Sequence, residues 1–564
     1  MKKTIKLTSA ILGILFTIAT CQPKKNSGID PLIFLLIQGI VSGGSTINVS
    51  GVIKYEHIPV NTGTSTLNTA GKTERPARKI TVKLLDNNSR TVTSVSTDET
   101  GAYTITGATV TTSTFTIVAA AEMVKTTTPT YSFKVVDTVT TSIGSTYAVS
   151  SASTQTSTCT SSCTINVTAL DSNRGNGPFS ILDVVYTAVT KVLGADANTT
   201  FPGLNIKWTS TSTTGSFFTT SSSTCGSGVT NCIVLLGNRS ADSDEFDRHV
   251  IAHEFTHYLE SALSRSDSIG GSHSTNDTLE PRIAYGEGLG NAMGAIFLDN
   301  SLYTDTTASG GFNINMETGT HTNVGFFAEA SVHSVIWDLY DSVSDTKNSQ
   351  SDSLSYPFSK IWAAVIALKS INSITYIHEF ISALKTANAS DTTAINNILT
   401  MESIAASEGA EGNVSKTSVG TSNTHTCDGS TAPYPYNPII EVPGATTGNV
   451  VSAVAITGSQ NCGIASYANN KLFGSKFYKV SPSNSGTMTV TAIDGAVGSE
   501  DPDVYITQLG VAVKTCNINI SESCATSVTA GKVYIVEIRT YSPCAVSACA
   551  TGNRENATIT IALP

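Results

Sequence analysis

Charge is what this chain has least of. Lys, Arg, Asp and Glu make up 13% of its 564 residues, about half the usual share. The formal net charge is −10, so a nucleic-acid partner, which needs a basic surface, is not indicated. Neither apolar run near the N-terminus reaches the roughly 20 residues of a membrane helix. The second, "PLIFLLIQGIV", covers only 31–41 and reads as a tether or packing segment. None of the 11 cysteines stands in the C-x-x-C spacing of a metal knuckle. Histidine is scarce, with nine in the chain. Ser, Thr, Gly and Val fill the place of the missing charge, a mix that favours β-rich, turn-rich domains. Length alone suggests roughly three or four domains.

What is present starts with an address. "MKK" is a basic n-region and "LTSAILGILFTIA" a short apolar h-region, the pattern of a secretory signal. It closes on "TIATC", where small residues before Cys21 resemble a bacterial lipobox. That resemblance implies that 1–21 is a lipoprotein signal peptide and that Cys21 is lipidated. The mature chain is then anchored to the cell envelope, at the outer membrane or cell surface, with plain secretion as the alternative. The anchor would be its only membrane contact. Without Cys21 the cysteine count is even. Cys159/Cys163, Cys225/Cys232, Cys516/Cys524 and Cys544/Cys549 are close pairs, leaving Cys427 and Cys462. In an exported chain this reads as five local disulfides.

Beyond a linker over 22–45, period-two alternation broken by Gly, Asn and Asp turns runs over 46–165. Its stretch "RPARKITVKLLDNNSRTVTSVSTDETGAYTIT" is similar to the regulatory β-sandwich found beside carboxypeptidases. From 166 to 420 the pattern is mainly helical, with helices expected over about 179–195, 244–264, 281–298, 326–343, 357–369 and 374–387. From 421 to 564 it returns to β. "DPDVYI" and "AGKVYIVEI" resemble the pre-peptidase C-terminal sandwich of secreted proteases. The fold class expected is multidomain: a central, mainly α (α+β) domain between two all-β sandwiches.

Chemistry concentrates in "DRHVIAHEFTHYLESALSRS" (247–266). Asp242 and Glu245 have capping-box spacing. Phe246, Val250, Ile251, Phe255, Leu259 and Ala262 form an apolar stripe. His253 and His257 stand at i and i+4, so both rings leave one side of a helix and can reach one zinc ion. Glu254 lies beside them as a general base. A chance H-E-x-x-H is expected in on the order of one such chain in a hundred. A catalytic zinc takes three protein ligands and keeps one position open. Glu260 and Leu263 stand where a metzincin has Gly and His, which excludes that class. A glutamate on a second helix is the other common solution. Glu287 in "PRIAYGEGLGNAMGAIF" follows 30 residues after His257, flanked by Gly286 and Gly288 that permit close helix approach. Asn291, one turn on, is placed to orient a histidine ligand. Glu260 would have to fold back along its own helix. Glu280, before Pro281, belongs at the second helix's start.

"HEFTHYLE" followed by "GEGLGNA" resembles the fungalysin branch of the thermolysin-like glutamate zincins, and "SVHSVIWDLYD" resembles the helix that follows there. The likeness covers roughly 100 residues within 244–345 and is similar in motif order. It implies one zinc held by His253, His257 and Glu287, with Glu254 as base. Two positions depart from it. Asn291 replaces an aspartate, and Phe326 stands where the family has an oxyanion-stabilising histidine. His321 is the expected substitute, and His333 is expected to be structural. The acidic run Asp242, Asp244, Glu245, Asp247 offers carboxylates to calcium, although helix N-termini favour acidic residues anyway. The expected function is a zinc metalloendopeptidase acting on protein or peptide substrates. The alternatives are a protease-fold adhesin of weak or no activity and a non-proteolytic zinc hydrolase.

Overall fold

The computed structural model describes residues 44–404 apart from 140, 141, 272, 276, 278, 319, 320, 322 and 323. Beyond 404 it describes 440–442, 449–457, 475–494, 502–518, 521–540 and 554–564. Cys21, Cys427, Cys462, Cys544 and Cys549 lie outside the described residues. The other three expected disulfides are present: Cys159–Cys163, Cys225–Cys232 and Cys516–Cys524.

A central α+β region stands between mainly β regions. In the first of these, the long strand Ser45–His57 buries Ile47, Val49, Ile53 and Tyr55 at alternate positions. It pairs antiparallel with Ala102–Val110 and Thr73–Pro76. A second sheet is built around Thr81–Asp86 and Thr114–Ala120. The change of pattern at 166 marks where helices begin, not where the sheets end. Tyr131–Val139 runs parallel to Leu204–Trp208, which pairs in turn with Cys232–Leu235. Alternation identifies a strand but not the sheet it joins. One hydrophobic core accordingly runs from Ile47 to Ile404.

Among the described residues the helices are α1 (Gly177–Ala195), α2 (Arg248–Leu263), α3 (Pro281–Leu298), α4 (Glu329–Asp338), α5 (Phe358–Ala367), α6 (Ile377–Ala387) and α7 (Thr392–Met401), besides a single turn at Ser222–Cys225. α1 is long and apolar enough to cross a membrane, but most of it is buried in the core. α2 rests on the mixed sheet, with Phe255 and Tyr258 edge-on to Phe133. α3 packs between α2 and α4. The expected capping box does not form. Asp242–Ser243 pairs as a strand with Gly237–Asn238, and α2 starts after Asp247. Glu245 is held by Arg174 at 2.6 Å and Arg239 at 3.0 Å.

The C-terminal region is a pair of sheets around Val480, Val490, Val504, Ile506, Val536 and Ile561. Its Phe477 and Ile535 join the core of the central region.

Candidate metal centre

Almost every residue of α2 from His249 to Glu260 is buried, so polar side chains there must find partners or a ligand. His253 and His257 leave the same side of the helix toward α3, with their Nε2 atoms 3.0 Å apart. Glu287 meets both: its Oε2 is 3.1 Å from His253 Nε2 and 3.4 Å from His257 Nε2. Donors at 2.0–2.2 Å from a tetrahedral zinc stand about 3.3 Å from one another. The three atoms therefore form one face of such a tetrahedron. Burial opposes charge on His257, but the Glu287 carboxylate outweighs it and pushes the imidazole up to about 10. Burial likewise opposes charge on Glu287, and the histidines hold its carboxyl well below the usual range.

Close approach of α2 and α3 depends on Gly290. A Cβ there would lie 2.7–2.9 Å from three atoms of the His253 ring. Gly288 is closed instead by Val332 of α4, while a Cβ at Gly286 would meet nothing nearer than 3.8 Å. Of the two flanking glycines expected to matter, one serves another interface and the other none.

Asn291 holds the first of the candidate ligands. Its Oδ1 is 2.8 Å from His253 Nδ1, which leaves Nε2 toward the metal position. Asn291 Nδ2 donates to Glu329 Oε1 at 2.7 Å. The carboxylate missing at 291 is thus present one residue further out.

Of the other carboxylates considered, neither joins the histidines. Glu280 caps α3, accepting from Arg282 N at 2.9 Å. Glu260 is buried and its Oε2 has no partner among the described residues; burial raises its carboxyl to about 7 against the opposing pull of His257. His249 contacts the Asn300 carbonyl at 3.0 Å, and burial lowers it to about 4.

His321 does not reach the site. Its Nε2 lies 2.7 Å from Glu402 Oε2 and 3.3 Å from Ser331 Oγ. The motif order pointed to the segment before α4 but not to its path, and the imidazole is taken up by the carboxylate after α7. His333 is buried beside it with both ring nitrogens unpartnered. The histidine that faces the centre is His273. Its Nε2 is 3.5 Å from Glu287 Oε2 and 3.5 Å from Glu329 Oε2. Gly270 and Gly271, at φ 64° and 113°, turn the connecting loop back toward the metal position. The signal was present in "GGSHS", a histidine just after a glycine pair in the loop joining the two site helices.

His253, His273, Glu287, Asn291 and Glu329 line an open cleft of about 460 Å³ that also includes Glu254, Tyr303, Phe312, Ile314, Asp242, Asp244 and Asp305. Glu254 is 8% exposed. The cleft pairs a three-donor metal position with a carboxylate beside it and an imidazole across from it.

No curated protein matches the chain. Among solved structures it is similar to the pre-peptidase C-terminal domain of collagenase from Bacillus anthracis, at 6% identity and TM-score 0.15, over 22% of this chain and 94% of that one. It is also similar to PliG, a periplasmic inhibitor of g-type lysozyme from Aeromonas hydrophila, at 10% identity and TM-score 0.15, over 22% of this chain and 96% of that one. A third is a family 35 carbohydrate-binding module from Clostridium thermocellum, at 10% identity and TM-score 0.13, over 21% and 92%. Residues 194–402, which hold every donor of the candidate centre, match the Mycolysin C-terminal domain, a metalloprotease family domain.

Proposed function

We propose that the protein is a zinc-dependent endopeptidase that hydrolyses protein or peptide substrates. The observation that carries this is the His253 Nε2, His257 Nε2, Glu287 Oε2 triangle with Glu254 in the same cleft. His253, His257 and Glu287 hold one zinc, and Asn291 with Glu329 fixes the His253 ring. Zinc at this position supplies Lewis acidity toward water and a peptide carbonyl. Glu254 takes a proton from the attacking water and passes it to the leaving amine. His273 fills the electrophilic role that the resemblance to fungalysin-like enzymes had left to His321. Casein or gelatin hydrolysis, with and without a strong chelator, tests the reading. Hydrolysis that resists the chelator, or none from zinc-loaded protein, overturns it.

The chain is further proposed to be exported and anchored by an acyl group on Cys21. Three disulfides in a chain so poor in charge support an oxidising compartment. Detergent partitioning and intact mass of wild type and Cys21→Ser decide it, a membrane-bound Cys21→Ser counting against the anchor.

A further inference from the structure

We propose that Asp242, Asp244 and Asp305 form a second metal site, for an oxygen-seeking divalent cation of the calcium class, in the wall of the cleft. One carboxylate oxygen from each lies within 4.8 Å of the others. Oxygens on opposite sides of a calcium ion stand about 5 Å apart, and calcium accepts all-oxygen donor sets completed by water. Zinc prefers nitrogen or sulfur donors in a four-coordinate shell.

Clustering alone would mean little on an acidic stretch. The second observation is what these oxygens lack. Asp244 is 2% exposed and lines the cleft. Ser216 Oγ donates to its Oδ2, and its Oδ1 has no partner among the described residues. Oδ1 of Asp242 and Oδ1 of Asp305 are likewise buried without a partner. Neighbours in the same run are satisfied. Glu245 is paired with Arg174 and Arg239, and Asp247 accepts from Thr306 N at 2.8 Å and from its hydroxyl at 3.0 Å. Among the described residues no cation pairs with the three aspartates. Burial, and after it the charge of Asp305, pushes the Asp244 carboxyl well up. Burial and then Asp242 raise Asp305 to about 7. A single lysine or arginine of a substrate would leave two of three charges unanswered, whereas a divalent ion with its waters answers most of them.

Such an ion would tie together two parts of the cleft wall that are far apart in sequence. Asp242 opens the second strand of a hairpin and bridges to Thr307, and Asp305 ends the strand Leu302–Asp305 that packs on α2. Tyr303 of that strand faces the His253 ring at 6.4 Å. The donors are separate from the zinc ligands, so the site does not depend on the hydrolase reading.

The experiment titrates calcium into the full-length, zinc-loaded protein by calorimetry, follows thermal unfolding, and records zinc content in the same samples. Wild type is expected to bind one calcium and to melt higher with it. Asp305→Asn and Asp244→Asn are expected to weaken binding about tenfold or more and to lose the thermal response. In calcium-free buffer Asp305→Asn should melt above wild type, because it removes repulsion; a damaged fold would melt below it. The proposal is overturned if wild type shows no binding at millimolar calcium, or if Asp305→Asn binds as wild type does. It is also overturned if the variants alter only cleavage next to Lys or Arg. A loss of zinc in the variants with calcium binding intact would count against the separation of the two sites.

Discussion

Gly290→Ala puts the geometry of the centre at risk through one methyl group. A Cβ at 290 would stand 2.7, 2.8 and 2.9 Å from Cε1, Nδ1 and Nε2 of His253. Ordinary contact begins near 3.5 Å, so the ring must retreat by about 0.7 Å. Metal–ligand distances tolerate only about 0.2 Å. The retreat also strains the 2.8 Å contact between Nδ1 and Asn291. Losing such an orienting contact typically costs on the order of 10–100-fold in metal affinity, or about 1.4–2.7 kcal/mol. Fold stability should change less. Overpacking costs about 1–3 kcal/mol, and alanine returns about 1 kcal/mol of helix propensity. Gly286→Ala is the control on the same helix. Its Cβ meets nothing closer than 3.8 Å, so stability should rise by up to about 1 kcal/mol with zinc affinity unchanged. Competition with a chromophoric zinc chelator and thermal denaturation read the two quantities. Wild-type zinc affinity in Gly290→Ala would refute the reasoning.

Glu254→Gln should keep zinc and abolish proteolysis; turnover at the wild-type rate would remove Glu254 as the base. Glu287→Ala should lose zinc on dialysis against a mild chelator, while Glu260→Ala and Glu280→Ala keep it, and the reverse pattern would displace the third ligand. His273→Ala should lower kcat at least about tenfold with zinc retained, as expected for a lost electrostatic donor, whereas His321→Ala should leave kcat near wild type; equal loss in both would refute the assignment. The raised Asp305 carboxyl carries a sign. Its pKa goes from the ordinary 3.8 to about 7 in the fold, so its contribution to stability is full below about pH 4 and is lost as pH rises to 7. Calcium-free protein should therefore lose melting temperature over that window, and Asp305→Asn should lose less.

The parts of the centre that depend on local spacing were legible. Two histidines at i and i+4 share a helix side whatever surrounds them, and Glu287 was marked by its position inside a glycine-rich helix with Asn291 one turn on. Parts that depend on the path of a loop were not. His273 and His321 both lie in connecting segments; the glycine pair before His273 marks a turn, but only the folded path of the loop brings that imidazole back to Glu287. The same holds for Asp305, which meets Asp242 and Asp244 only because two hairpins are bridged. The capping box failed because Asp242–Ser243 is taken by a strand pair and Glu245 by two arginines, so tertiary partners overrode a local motif. α7 was not foreseen at all. "TTAINNILTM" is short and rich in Thr and Asn, and packing rather than propensity makes it helical.

The C-terminal sandwich is more than an appended module, because it reaches the base of a site helix. Arg282 lies in the first turn of α3, ahead of Glu287, and its guanidinium makes a bidentate pair with Glu537 at 2.9 and 2.7 Å. Glu537 also accepts from Ser475 Oγ at 2.6 Å and Arg539 Nε at 2.9 Å. Arg282 also pairs with Glu280 at 2.9 Å and stacks 4.8 Å from the Phe477 ring. Both partners of the Arg282–Glu537 pair are buried, and a buried pair adds little net stability over apolar packing. What it does impose is geometry, because a bidentate fork admits few orientations. At the other end of the His273 loop, Arg265 is tied to the carbonyls of Ile371 and Ser373 and to Asp267. The loop that presents His273 is therefore braced by the central helical region at its start and by the β-sandwich at its end. Residues as far along the chain as Glu537 thus hold the helix end to which that loop runs.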